Sequence, residues 1–363
     1  MIATNSIKTV LLAIAMLFSF AQFSFSQEHE VEHQTENQPE KEFNTGDLIN
    51  HHIADSHEFH LFDWRGKSYS MPLPIILYTN NGLVTFLSNE FHHDNEGKVV
   101  VEKKQQQFVR IHDNIFYANK VHEGHADALD YSLRPLNFSI TKLVFSMLMS
   151  VLILTLIFLS VAKSYKNNPS APKGLAGFME PLVLFVRDDI AIPNIGKKKY
   201  AKYMPYLLSV FFFIWINNLI GLIPFFPFSS NLTGNIAFTF VMASITFIIT
   251  TFSGNKNYWK HILTPPVPKA LYPIMVPIEI IGMITKPFAL MIRLFANIAA
   301  GHIIILSLVS LIFIFKSIAI APVSGAFVVF MSMLEMLVAA LQAYVFTLLS
   351  ALFIGQAVAD DHH

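Results

Sequence analysis

The 363-residue chain contains no cysteine. That absence excludes disulfides, thiolate nucleophiles and cysteine-based zinc sites. Charge is scarce as well: Asp, Glu, Lys and Arg make up 14% of the residues, where a soluble protein carries about a quarter. Two connections, residues 224–231 and 317–325, hold no charge at all. Apolar residues fill the space instead, at 53% of the chain with 34 phenylalanines. The net charge of zero hides a division. Up to about Arg134 the chain is polar and holds eleven of the fifteen histidines, and beyond that point it is largely hydrophobic.

The first 26 residues read as a secretory signal. Lys8 gives the positive start, Val10 to Phe20 the apolar run, and Ser24-Phe25-Ser26 a small-x-small pattern before Gln27. An uncleaved first membrane helix is the other reading, but the run is shorter than the ~20 residues a span needs. Residues 27–57 are acidic, His-rich and poor in large apolar groups, which predicts a disordered tether. Residues 58–134 predict a small β-rich extramembrane extension. Within it, Pro74–Tyr78 and Leu83–Leu87 flank the hairpin signal Asn81-Gly82, and Lys98–Val101 and Phe108–Ile111 suggest two more strands.

From residue 135 to residue 363 the pattern is that of an all-α integral membrane protein with five transmembrane helices and one interfacial helix. The expected spans are Phe138–Ala162, Tyr206–Phe225, Ile236–Phe252, Leu271–Lys316 and Ala319–Val358. The last two exceed a perpendicular span and must tilt, kink or start at the interface. Pro287 is the expected kink point. Gly174–Ile192 is shorter, carries Glu180, Arg187, Asp188 and Asp189, and reads as the interfacial amphipathic helix. Basic residues concentrate between spans one and two and between spans three and four, while the alternate connections are uncharged. The positive-inside rule therefore puts the N-terminus outside and the C-terminus in the cytoplasm.

Arg293 is the residue with no ordinary structural reason to be where it is. A guanidinium is never neutral in proteins, and one near mid-bilayer costs roughly 2.5–3.5 kcal/mol on insertion scales. Glu279, Lys286 and Arg293 recur every seven residues, on one helical face. Arg293, Asn297 and Gly301 follow one another at i,i+4 steps, and His302, nine residues from Arg293, falls on the opposite face. In the last span Glu335 and Gln342 share a face, with Ser332 one turn earlier. A His and a Glu on consecutive antiparallel helices can pair and exchange protons. Asn and Gln inside a membrane also serve as interhelical glue, and Glu279 and Lys316, near helix ends, can snorkel to the interface. Arg293 fits neither description and points to ion movement.

Lys286-Pro287, Arg293-Leu294-Phe295-Ala296-Asn297 and Ala300-Gly301 closely resemble the hallmark of subunit a of F-type ATP synthases. Asn218-Leu219-Ile220-Gly221-Leu222-Ile223-Pro224, Thr233-Gly234-Asn235 with Thr239, and Leu341-Gln342-Ala343-Tyr344-Val345-Phe346 resemble its other segments in the same order. The resemblance covers about residues 135–359. It implies an ion-translocating stator subunit that forms two proton half-channels against the c-subunit ring and couples proton flow to rotation and ATP synthesis. Arg293 would be the stator arginine facing the ring. Gln342 and Asn297 would line the same interface, Asn218 a half-channel, and Glu279 and Lys286 would match family positions, Glu279 as a pathway group. His302 and Glu335 exchange the residue types found in many bacterial members, which predicts that the two lie together and act as a pair. Phe353 stands where some relatives carry Tyr, so no hydroxyl role falls there.

Further implications are peripheral-stalk b subunits and the lipid bilayer as partners, the F1 sector as an indirect one, and a bacterial inner membrane location. Neither a cofactor, a metal nor nucleic acid is implied, and nucleotide chemistry would belong to a distant subunit. A self-contained secondary transporter or channel is the alternative, though it would usually show paired internal repeats, and none is visible. A membrane-tethered metal-binding protein would explain His51, His52, His57 and His60 but leaves Arg293 without purpose.

Overall fold

The computed structural model describes residues 55–64, 67–120, 133–167, 174–223, 230–265, 267–315 and 320–359. The signal segment and nearly all of the tether lie outside them. Among the described residues eight short strands come first. β1 (Glu58–Trp64) and β2 (Lys67–Pro72) form a hairpin, β4 (Gly82–Leu87), β3 (Pro74–Thr79) and β8 (Leu136–Asn137) a three-stranded sheet, and β5 (Val101–Lys103), β6 (Gln106–Ile111) and β7 (Asn114–Tyr117) another. All pairings are antiparallel. Alternation along these strands turns Ile75, Leu77, Val84, Phe86, Val101 and Phe108 inward around Phe91. Each such burial is worth about 1.5–3 kcal/mol.

Two local expectations shift. The hairpin joins Thr79 to Gly82 as paired residues, so its turn is Asn80-Asn81, and Gly82 opens β4 at φ 90°. Glycine takes that left-handed φ without the strain of a Cβ. Thr79 Oγ1 holds the turn, accepting from Asn81 N and donating to Gly82 O. Of the expected strand Lys98–Val101, only Val101 is extended into the sheet. Asp94 takes the rest: its carboxylate accepts from Glu96 N and Val99 N, folding the chain around Gly97.

The helices follow as α1 (Lys142–Asn167), α2 (Leu175–Phe185), α3 (Ile192–Ile195), α4 (Tyr200–Gly221), α5 (Ile236–Ser253), α6 (Lys256–Leu263), α7 (Tyr272–Phe315) and α8 (Ala321–Val358). A π-helical stretch, Val186–Ala191, joins α2 to α3. Among the described residues five helices (α1, α4, α5, α7 and α8) are long and apolar enough to cross a membrane. The 44-residue α7 is about 66 Å long at ~1.5 Å per residue, twice the hydrocarbon core. It runs as one helix through both Pro277 and Pro287. α6 was not foreseen; its eight residues lay in what reads as a basic loop.

The first span begins four residues later than expected because the sheet claims its start. Leu136 and Asn137 pair with β3, and Phe138 N and Ile140 N donate to Ile76 O and Pro74 O. Asp55 and Ser56 then tie the first turn of α1, accepting from Leu143 N and Lys142 N. A carboxylate there also suits the positive end of the helix dipole. Phe59 meets Phe145 edge to face at 5.4 Å. Extension and bundle are thus joined by hydrogen bonds and packing as well as by the chain.

The bundle core gathers Val186, Ile190, Leu207, Phe212, Ile214, Leu294, Ala343, Phe346 and Ile354. The α2–α3 segment is therefore packed into the bundle along one side. Gly355 permits this, since a Cβ there would overlap the Asn194 carbonyl. Asn235 starts α5 as an N-cap, accepting from Ala237 N and Phe238 N.

Candidate functional site

α7 shows the bundle one narrow face and leaves the rest open. Leu290, Met291, Leu294 and Ile298 are buried, at the i,i+4 spacing of a helix stripe, while Ile281, Phe288 and Ile292 are exposed. In its most apolar 18-residue window only 11% of α7 is buried, against 44% in α4 and α8, so α7 is the outermost of the long helices. Arg293 and Asn297 sit on that open side.

Together with Gln342 of α8 they line an open groove of about 650 Å³ whose other walls include Thr285, Phe288 and Ile292. Gln342 is 3% exposed and so is held in place by packing. Arg293 makes no hydrogen bond or ion pair among the described residues. A bare guanidinium on an apolar face is costly in lipid. The groove thus presents a positive charge to whatever covers it.

A second polar group lies inside the bundle, nearer the ends of α4 and α7 that lead to the uncharged connections. His302 Nε2 is 3.4 Å from Glu335 Oε1, an ion-pair distance, and Glu335 is buried with no hydrogen bond to either oxygen among the described residues. Two glycines make the room. A Cβ at Gly301 would stand 2.9 Å from Glu335 Oε1, and one at Gly221 would stand 3.8 Å from His302 Nε2. Asn218 is buried beside them and fully engaged: its amide donates to Ala339 O at 3.2 Å and its carbonyl accepts from Thr233 Oγ1 at 2.6 Å. Ser230 Oγ and Asn217 Oδ1 are also buried, with no hydrogen-bond partner among the described residues. Such a concentration of polar groups is expensive unless they bind or pass something.

Toward the opposite end, Lys286 Nζ donates to Gln356 Oε1 at 2.8 Å and lies 5.5 Å from the Phe353 ring centroid. Glu279 sits two turns earlier on α7, half-buried. The structure therefore brings the eight candidates together as three groups: Arg293, Asn297 and Gln342 at the groove; His302, Glu335 and Asn218 within; Lys286 near Glu279 below. Sequence reasoning missed Gln356, whose signal was an amide in the last turn of an apolar helix. It also missed the steric role of Gly301 and Gly221, legible only once the helices are packed. Among the described residues no group of three His, Asp or Glu side chains is placed to hold a metal ion. His51 and His52 lie outside the described residues.

Long apolar helices wrapped around buried polar groups, with one charge left on an open face, define a multi-pass membrane protein. The family model for the ATP synthase A chain matches residues 143–355, and one for a domain of unknown function (DUF8433) matches residues 48–138. The chain belongs to the ATP synthase A chain family. It is 50% identical over 234 residues to ATP synthase subunit a of Chloroherpeton thalassium, covering 62% of this chain and 69% of that one. It is 49% identical over 253 residues to ATP synthase subunit a 2 of Chlorobaculum tepidum (67% and 69%). To ATP synthase subunit a of Myxococcus xanthus it is 46% identical over 234 residues (63% and 76%). The match begins inside α1, so the β-rich extension lies outside it.

Proposed function

We propose that this chain, the ion-translocating membrane stator subunit of an F-type ATP synthase, passes protons through two half-channels that meet at Arg293 against a ring of c subunits. The observation that carries the reading is Arg293 on the open face of α7, without an ion pair among the described residues, in a groove shared with Asn297 and Gln342. A ring carboxylate passing that groove is drawn into its ionised form by the guanidinium, since an opposite charge within ~4–6 Å favours it. The same charge repels a proton crossing directly between the channels. Arg293 is then both partner and seal. Each elementary charge moved is worth about 2.3 kcal/mol per 100 mV, so a leak past the seal would dissipate the drive for several ions per turnover.

The His302–Glu335 pair, with Asn218, serves the half-channel on the extracytoplasmic side, and Glu279 with Lys286 serves the cytoplasmic one. With five spans and the α2–α3 segment at the interface, the proposed orientation has the N-terminus outside and the C-terminus in the cytoplasm of a bacterial inner membrane, a reading supported by the basic connections. Residues 1–26 are a removed signal, 27–57 a tether, 58–134 the extracytoplasmic extension and 135–363 the membrane domain. The peripheral-stalk b subunits hold this domain, and F1 is reached through them. A self-contained transporter is disfavoured by the family to which the chain belongs.

The test is ATP-driven acidification of inverted membrane vesicles carrying Arg293→Ala, with assembly and ATPase activity followed in parallel. Pumping is expected to be lost from an assembled complex. Normal pumping would remove Arg293 from the ion path.

A further inference from the structure

A strap of chain, residues 55–59, fastens the extension to the first span. Asp55 Oδ1 accepts from Leu143 N at 3.0 Å and Ser56 O from Lys142 N at 2.9 Å, both in the first turn of α1, and Phe59 packs on Phe145. At the centre of the strap stands His57, 2% exposed, whose carbonyl accepts from Leu73 N at 3.3 Å. Its ring meets the other side of the joint. His57 Nε2 lies 3.5 Å from Nδ2 of Asn137, in β8 on the approach to α1. The Asn137 amide is oriented by its oxygen, which accepts from Ser139 N at 2.9 Å. Ser139 in turn is tied to the sheet, its Oγ accepting from Ile76 N at 3.0 Å. Asn137 therefore presents a donor to the ring, and Nε2 of a neutral imidazole accepts. Nδ1 then carries the hydrogen, buried and with no hydrogen-bond partner among the described residues.

Only one protonation state fits this joint. A proton added at Nε2 sets donor against donor at Asn137, and the buried charge then has a hydrogen bond at neither nitrogen. We propose that His57 makes the joint between the extension and the first span a pH-sensitive contact, closed while the imidazole is neutral and released when it is protonated. The charged groups around the ring act in both directions. Burial is the largest influence and lowers the imidazole below its ordinary range; Asp113 in the β6–β7 turn raises it, Arg110 of β6 lowers it, and Glu58, next to it in β1, raises it. A histidine lowered by folding stabilises the closed joint fully above about pH 6.5, and that contribution is lost as pH falls toward the lowered value. Asp55, on the same strap, works the other way: burial raises its carboxyl, so its contribution is lost as pH rises. Lys142, tied to Ser56 through its amide, lies within electrostatic reach of His302, so a released joint loosens a charge near the inner polar pair. On the proposed orientation the joint lies on the extracytoplasmic side, and its response to pH is testable without that reading.

Hydrogen exchange of the purified complex, read by mass spectrometry and corrected for its intrinsic pH dependence, follows the joint at the amides of Leu73, Lys142 and Leu143. Between about pH 7.5 and about pH 5.5, a range above that in which Glu58 titrates, their protection is expected to fall about three- to tenfold. Amides of α5 should keep theirs. His57→Gln retains an acceptor near the Nε2 position and cannot be charged. Its protection should match wild type at the upper pH and stay level to the lower one. Should that variant fail to close the joint even at the upper pH, Asp113→Asn decides: it removes a carboxylate that favours the charged ring, so the fall in acid should deepen. The proposal is overturned by level protection in the wild-type chain, by an unaltered fall in a closed His57→Gln joint, or by an unaltered fall in Asp113→Asn. A loss of protection toward alkaline pH also overturns it and assigns the joint to Asp55.

Discussion

The extension and the bundle each place an arginine where it must be accounted for, and they do so in opposite ways. In the extension Arg110 is 4% exposed. Its Nη1 donates to Glu58 Oε1 at 2.6 Å, its Nε to Asp94 O at 2.8 Å, and its guanidinium lies over the Phe91 ring. Glu58 in turn meets His93 Nδ1 at 2.5 Å and Ser70 Oγ at 3.0 Å. In the bundle Arg293 stands open, and among the described residues it has no ion pair and the buried Glu335 no hydrogen bond. A charge satisfied on every side serves the fold that holds it. Charges left open are available to a partner, and on the proposed reading the difference separates a structural ion pair from a transport site.

The largest expected effect breaks the comparison at its functional end. Arg293→Ala removes essentially all ATP-driven proton pumping while the complex still assembles, because among the described residues no hydrogen bond or ion pair depends on that guanidinium. Arg110→Ala does the reverse. It leaves Glu58 without its main partner and is expected to cost about 3–5 kcal/mol of stability, read as early proteolysis of the extension. Glu58→Ala added to Arg110→Ala should recover part of that loss. Intact folding of the Arg110→Ala extension would contradict a structural role for the pair.

Gly301→Ala sharpens the comparison from the bundle side. Its Cβ would push on Glu335 at 2.9 Å, an overpacking expected to cost about 1–3 kcal/mol and to lower the pumping rate with Arg293 untouched. A rate equal to wild type would mean that Glu335 can move aside freely. A double-mutant cycle on His302→Ala and Glu335→Gln should show coupling of about 0.5–3 kcal/mol in pumping; strictly additive losses would dissolve the pair.

The smallest effect is one of pH. Burial alone would raise the Glu58 carboxyl, but Arg110 and His93 outweigh it and hold the group below its ordinary range. A carboxyl lowered by folding adds stability that is fully present above its unfolded value and is lost as pH falls through the folded one. The extension should therefore loosen in acid, below about pH 4, and Glu58→Gln should flatten that dependence. An unchanged acid limb in the variant would assign the loss to other carboxylates.

Much of this was readable from local pattern. Hydropathy over about twenty residues marks a span, so the five long helices were placed within a few residues along most of their lengths. Two starts moved. The second span opens at Tyr200, ahead of the expected Tyr206. The first opens at Lys142, behind the expected Phe138, because Phe138 and Ile140 hydrogen-bond to β3, some sixty residues earlier in the chain. Lys98–Val100 read as strand until the Asp94 carboxylate is seen to fold them, and the turn at Asn80-Asn81 slipped one residue because Gly82 serves as the residue after the turn. α6 went unread since eight residues between two spans give periodicity little to work on. The site divides along the same line. Arg293, Asn297, Glu335 and Gln342 stood out as polar residues in apolar segments, while Gly301 and Gly221 gained meaning only from what packs against them.

By itself the sequence determined what can be paid for locally: which segments are apolar enough for a bilayer, which residues are too costly there to be incidental, and which motifs follow in order. The tertiary structure alone decided which of those residues meet. Placing His302 beside Glu335, Asn218 against Thr233 and Ala339, and Lys199 on the end of α8 depends on helix packing across 15 to 159 residues of chain. Such contacts are set by the fit of whole helix faces, and no local window contains that information.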